Sequence, residues 1–316
     1  MRFPAPAAGP GRLVPALALA GALALAAGCG AGAAATPAAS VEPVAASAVA
    51  PAESLAPSEP TTTTMQVDQT IWFAGFKVTF GAASAEITPG GGGTVTIDAL
   101  FENTGSDSGV FDGTLNLASA GENATEGMGM DLPSVPGGQT GKGSLEFVVE
   151  DSFSFDDAIL TIGRPENQQA IVPLTAMAGT GVTQEPVAVP VSGEGTADTL
   201  KLSLNDAEYR ADQPWNHGQM KKGTFVMTVT YDATFLSDFA GGFAFTGDNV
   251  ALTLPDGTTV GTIQDGRSQS LELLAAEATS KDLFSRFEID DPAAGEYVFL
   301  VRSFDDAEAT IPFTVR

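Results

Sequence analysis

The chain has 316 residues and carries 39 acidic against 14 basic side chains, a formal charge of −25. Such a field repels nucleic acid, so no nucleic-acid partner is expected; it favours solubility and the accumulation of cations. A single cysteine, Cys29, excludes an intrachain disulfide framework.

In chain order, Arg2 and Arg12 precede an apolar stretch from Leu13 to Ala27 and small residues lead into Cys29. A basic end, a short apolar run and small residues before a cut are the layout of a signal peptide. The run is shorter than the roughly 20 residues a membrane span needs. Its end resembles a bacterial lipoprotein signal, although Ala26 stands where that signal usually has Leu. The resemblance implies a signal peptide over 1–28, a diacylated Cys29 and an extracytoplasmic protein whose membrane partner is reached through the anchor; plain secretion is the alternative. Loss of Arg2 and Arg12 takes the charge to about −27. Residues 29–65 then read as a disordered tether, rich in Ala, Pro, Ser and Thr and ending in Thr61-Thr62-Thr63-Thr64. Fully stretched, its length is roughly 100 Å.

The remainder predicts an all-β fold: two tandem immunoglobulin-like β-sandwich domains at 66–175 and 190–316, joined by a linker over 176–189. In the first, Thr70–Phe73, Phe76–Phe80 and Ala85–Ile87 read as strands. Thr94 to Glu102 alternates, placing Val95, Ile97, Ala99 and Phe101 on one face. Runs around Leu115, Leu145, Ile159 and Ile171 follow, separated by turns such as Pro89 to Gly93 and Pro136-Gly137-Gly138. In the second, Thr199–Leu204 and Thr224–Tyr231 alternate, and Pro255-Asp256-Gly257 between two strands signals a hairpin. Phe284–Ile289, Tyr297–Val301 and Ala309–Val315 complete the set, and Leu271–Leu283 is the one segment with helical potential. The domain ends look alike: Ala170 to Thr175 matches Ala309 to Thr314, each with a proline that an edge strand accommodates. Phe155-Asp156-Asp157-Ala158 recurs as Phe304-Asp305-Asp306-Ala307 at a different offset, so a duplication is expected, with one match out of register.

Trp72-Phe73-Ala74-Gly75-Phe76-Lys77-Val78, Phe101-Glu102-Asn103-Thr104-Gly105 and Val135-Pro136-Gly137-Gly138 resemble the immunoglobulin-like domains of the DUF4352 and telokin-like group. Roughly residues 67–175 carry the resemblance, with an echo in the second half. It implies a β-sandwich outside the cell and supplies no catalytic residues.

Candidate chemistry is sparse. Trp72, Phe73, Phe76, Trp215 and His217 are the first candidates for a binding surface, with core packing as the competing role for each aromatic. Asp156, Asp157, Asp290, Asp291, Asp305, Asp306 and Glu308 offer hard oxygen ligands for Ca²⁺, but none has the spacing of a calcium loop. His217 is the only histidine, so with Cys29 lipidated there is neither a thiol–imidazole pair nor a multi-histidine metal centre. No Gly-x-Ser-x-Gly elbow accompanies it. The function expected is therefore a non-catalytic cell-envelope lipoprotein, without a cofactor, that recognises or scaffolds an envelope protein or polymer. The alternatives are a solute- or calcium-binding protein with carboxylates converging between the domains, and a hydrolase using His217 with Asp212 close by.

Overall fold

A computed structural model describes residues 59–119, 124–303 and 307–316. The signal peptide, Cys29 and the tether up to residue 58 lie outside the described residues, as do Asp305 and Asp306. The fold is all-β and every strand pairing is antiparallel; two 3₁₀ turns, at Phe155–Asp157 and Gly247–Asn249, are the helical elements among the described residues.

The first block contains β1 (Thr61–Gln66), β2 (Thr70–Phe73), β3 (Phe76–Thr88), β4 (Gly92–Asn103), β5 (Leu115–Ala118), β6 (Thr125–Met130), β7 (Thr140–Val149), β8 (Ile159–Ile162) and β9 (Ala170–Pro173). They follow the order β1-β3-β4-β7-β6-β5-β8-β9, with β2 also on β3. β6 turns the corner between two layers: Thr125–Gly127 pairs with β5, whereas Met128–Met130 pairs with β7. Alternation explains the rest. Val95, Ile97, Ala99 and Phe101 of β4 all point inward and meet Leu115, Leu160, Ile162 and Val172 of the opposite layer in one buried cluster. Each such large apolar side chain contributes about 1.5–3 kcal/mol on burial.

The four threonines assigned to the tether are instead an edge strand. β1 pairs with β3 from Thr61↔Ile87 to Gln66↔Ala82, while β2 pairs with it from Thr70↔Thr79 to Phe73↔Phe76. The exchange of partners falls at a bulge in β3 between Phe80 and Ala83. β1 lacks an alternating pattern because it covers an edge and leaves only Met65 half-buried, so β-branched threonines satisfy the geometry without an apolar face.

The second block contains β10 (Val187–Val189), β11 (Glu194–Ala197), β12 (Leu200–Arg210), β13 (Asp212–Gln213), β14 (Gly218–Gln219), β15 (Thr224–Phe235) and β16 (Phe243–Phe245). It continues through β17 (Val250–Thr253), β18 (Thr259–Gly261), β19 (Glu272–Leu274), β20 (Thr279–Asp290), β21 (Gly295–Arg302) and β22 (Glu308–Val315). One sheet runs β10-β12-β15-β20 with β11 on β12, and a second runs β18-β17-β21-β22. Leu202, Val229, Tyr231 and Phe287 from the first meet Leu252, Phe299, Val301 and Ile311 from the second. Tyr231 is fully buried and its hydroxyl lies 2.7 Å from Ser285 Oγ; burial pushes the phenol's pKa up although that hydrogen bond works the other way.

The segment from Leu271 to Leu283 is not a helix. β19 and the start of β20 occupy it, with Glu277 and Asp282 in the left-handed region. Leu271 and Leu273 face solvent while Leu274 enters the core, which is strand alternation. The two prolines, Pro173 in β9 and Pro312 in β22, stand on strands that end their sheet orders, where a missing donor is tolerated. The presumed linker is tied down as well. Val182 bridges to Ile171, Trp72 N–H donates to Thr183 O at 2.8 Å, and Val187–Val189 joins the second block's sheet.

Candidate functional site

The loop that joins β13 to β14 carries Pro214, Trp215, Asn216 and His217, and it is docked on the rim of the first sandwich. The receiving edge begins with the turn Phe73-Ala74-Gly75-Phe76. Phe73 and Phe76 face each other across a two-residue hairpin whose central residues have φ of 50° and 78°. That is a type I′ geometry, and it directs the amides of Ala74 and Gly75 away from their own sheet. Ala74 N–H donates to Gln219 Oε1 at 2.8 Å, and Gly75 N–H donates to Asp212 Oδ2 at 2.8 Å. A side chain at Gly75 is excluded twice over: its φ is left-handed, and a Cβ would lie 2.9 Å from Pro214 Cα.

Asp212 is the pivot. It is 1% exposed, accepts from Arg210 Nε at 2.8 Å through Oδ1, and accepts from Gly75 through Oδ2. Arg210 also lies 3.6 Å from Glu208 and donates to Thr104 Oγ1. Burial opposes the guanidinium charge, yet Asp212 and then Glu208 outweigh it and raise the pKa. A paired, hydrogen-bonded carboxylate of this kind holds geometry; deleting one member leaves an uncompensated charge.

His217 fills a socket. Its ring stacks on Phe76 with centroids 5.3 Å apart, and a Cβ on Gly109 would come within 2.5 Å of its Cε1 and Nε2. Both imidazole nitrogens are buried without a hydrogen-bond partner among the described residues. The hydrogen bond to Asp212 that a general base would use is not formed, because Asp212 is engaged by Arg210 and Gly75. Further along, Gln219 Nε2 donates to Gln168 O, Gln168 N–H donates to Met220 O, and Lys222 N–H donates to Glu166 O. A polar cavity of about 210 Å³ opens beside this contact, reached by Asp112, Arg164, Asn167 and His217.

Of the residues expected to form a binding surface, Phe73, Phe76 and Trp215 are buried and His217 is plugged into the joint. Trp72 is half-buried, with Lys77 Nζ 5.6 Å from its ring centroid. The aromatic side chains spent on this joint fasten one sandwich to the other.

The chain matches no protein-family model and no curated protein. It is similar to a functionally unknown protein from Listeria monocytogenes EGD-e, at 13% identity over 42% of this chain and 88% of that one, with a TM-score of 0.30. It is also similar to a conserved domain protein from Bacillus anthracis, at 11% identity over 80% of this chain and 90% of that one, with a TM-score of 0.22.

The carboxylates considered for calcium are dispersed. Asp157 accepts from Ser119 Oγ at 2.8 Å and the backbone N–H of Asp156 is capped by Ser154; Asp290 and Asp291 are exposed; Glu308 pairs with Arg302 at 2.8 Å. Among the described residues no three His, Cys, Asp or Glu side chains group around a metal-sized point. No helix among them is long and apolar enough to cross a membrane.

A second hollow on the same joint escaped sequence reasoning. It measures about 420 Å³ and is lined by Asp107, Trp215, Arg267, Gln269, Phe284 and Arg286. Its walls come from the first sandwich's loop after β4, from the aromatic loop, and from β20 with the turn ahead of β19. Asp265 orders that turn, accepting from Trp215 Nε1 at 3.0 Å, Ser268 Oγ at 2.8 Å and Arg267 N at 2.8 Å. Burial works against its charge, but those hydrogen bonds prevail and hold the carboxyl below the usual range. The one available signal was scarcity: of the six arginines from residue 59 onward, Arg164, Arg210, Arg267 and Arg286 all lie at the two hollows or the pivot.

Proposed function

We propose that the chain is a lipid-anchored protein of the bacterial cell envelope, held through Cys29, which recognises or scaffolds an envelope protein or polymer without catalysis. The observation that carries this reading is the fate of the loop from Arg210 to Gln219. Its chemically distinctive side chains are committed to clamping two sandwiches at a fixed relation through Asp212, Arg210 and Gly75. A clamped pair presents its outer loops with little ordering entropy left to lose on binding, which favours recognition. The lipoprotein-like signal supports the location, and the immunoglobulin-like character of the sandwiches belongs to the same proposal.

The test uses protein extracted from membranes. Intact mass is expected to begin at Cys29 with added acyl chains. Cross-linking in envelope fractions is expected to enrich one partner with the unaltered chain, and to lose it with Asp212→Ala, which opens the clamp. An unmodified cysteine would contradict the anchor, and capture indifferent to Asp212→Ala would contradict the clamped recognition body.

A further inference from the structure

The hollow between Trp215 and β20 contains a cation that no carboxylate among the described residues pairs with. The Arg286 guanidinium lies 4.0 Å from the Trp215 ring centroid and 4.3 Å from that of Phe284. These faces offset part of the cost of burying its charge. Nη1 donates to Arg267 O at 2.5 Å. Nε is buried with no acceptor, and among the described residues the Nε–Nη2 edge meets none. No carboxylate among them lies within 4.0 Å of Arg286. The acidic groups nearby have other duties: Asp107 pairs with Arg267 at 2.7 Å, Asp265 accepts its three turn hydrogen bonds, and Glu208 serves Arg210. Burial accordingly lowers the pKa of Arg286 to about 10, with Asp265 and Glu208 only partly restoring it.

Among the described residues, then, a half-buried guanidinium stands at a hollow with no carboxylate paired to it. Arg286 lines the hollow, and its planar guanidinium carries the forked donors that an oxyanion engages, Nε itself being closed off from solvent. Arg267 and Gln269 add donors on the same wall. The volume suits a small group, at the lower end of ligand pockets. The remote acidic coat is screened beyond about 8 Å at physiological salt, so the local balance decides: Asp107 on the same wall is already paired with Arg267, which leaves the charge of Arg286 over.

We propose that this hollow is a receptor for an oxyanion, a carboxylate or phosphate carried on a small group, with Arg286 as the principal contact and Arg267 and Gln269 beside it. The inference rests on the recognition reading above and gives its ligand a chemistry.

The test titrates the full-length protein, with Trp72→Phe so that Trp215 is the single tryptophan reporter, against inorganic phosphate, D-glucuronate and neutral glucose. A saturable change with one or both anions, at a Kd of about 1 mM or tighter, is expected, with none for glucose. Phosphate or glucuronate preference tells which source the site serves. Arg286→Gln should weaken binding by about tenfold or more, Arg286→Lys by less, and the distant Lys142→Gln not at all. Should Arg286→Gln fail to fold, Arg267→Gln together with the Arg286→Lys titration decides, each expected to be several-fold weaker. No saturation by about 20 mM, or equal affinity in all variants, overturns the proposal. Partner capture that survives Arg286→Gln while anion binding is absent would sink the receptor and leave the recognition reading standing.

Discussion

Two arginine–carboxylate pairs cross or support the same joint, at nearly the same length, in opposite surroundings. Arg210 and Asp212 meet at 2.8 Å with side chains 11% and 1% exposed; Arg267 and Asp107 meet at 2.7 Å with side chains 58% and 54% exposed. The wet pair bridges the sandwiches directly, yet water and ions compete for it and its worth is about 0–1 kcal/mol. The dry pair does not itself cross the joint, but it fixes the carboxylate that takes the Gly75 amide of the other sandwich. Distance alone therefore misjudges which contact joins the blocks; desolvation and the third partner decide it.

The comparison breaks most readily at the dry pair. Asp212→Ala is expected to cost about 3 kcal/mol, because it leaves Arg210 buried with Glu208, at 3.6 Å, as its remaining carboxylate and strands the Gly75 amide. Chemical denaturation measures it as the stability that the first block to unfold in the variant has lost relative to the single transition of the unaltered chain. Next comes His217, whose shape rather than its nitrogens fills the socket. His217→Ala should cost about 2 kcal/mol by opening a void beside Phe76. His217→Phe should stay within about 1 kcal/mol of the unaltered chain, since it removes two unpaired polar atoms. If the phenylalanine variant proves the worse of the two, an unseen partner serves the imidazole. Asp107→Asn should change stability by less than about 1 kcal/mol, and that small effect should vanish in high salt. The smallest effect concerns pH. Asp265 has a folded pKa below its unfolded value, so its contribution is present above the unfolded pKa of about 3.9 and is lost as pH falls through the folded one. Trp215 emission should therefore shift only below about pH 4, and Asp265→Asn should flatten that response.

Much of the fold could be read from alternation. β4, β15 and β20 show their buried faces in period two, and Pro255-Asp256-Gly257 does connect β17 to β18. Two segments misled. Thr61–Thr64 lacks an apolar face because β1 is an edge, and Leu271–Leu283 splits between two strands that the left-handed Glu277 separates. For the site, the aromatic loop stood out by composition, as did the turn at Ala74-Gly75. Their meeting did not, because Gly75 and Asp212 are 137 positions apart and are brought together only by how the two cores settle. Arg286 was invisible for a simpler reason: it occupies an outward position on an alternating strand, where a charged residue is ordinary.

The central claim is that Asp212 makes two sandwiches into one cooperative body. Differential scanning calorimetry of the full chain tests it directly. A single transition is predicted for the unaltered protein, with calorimetric and van't Hoff enthalpies agreeing, and two resolved transitions are predicted for Asp212→Ala. Two transitions in the unaltered protein, or one unchanged transition in the variant, would contradict it.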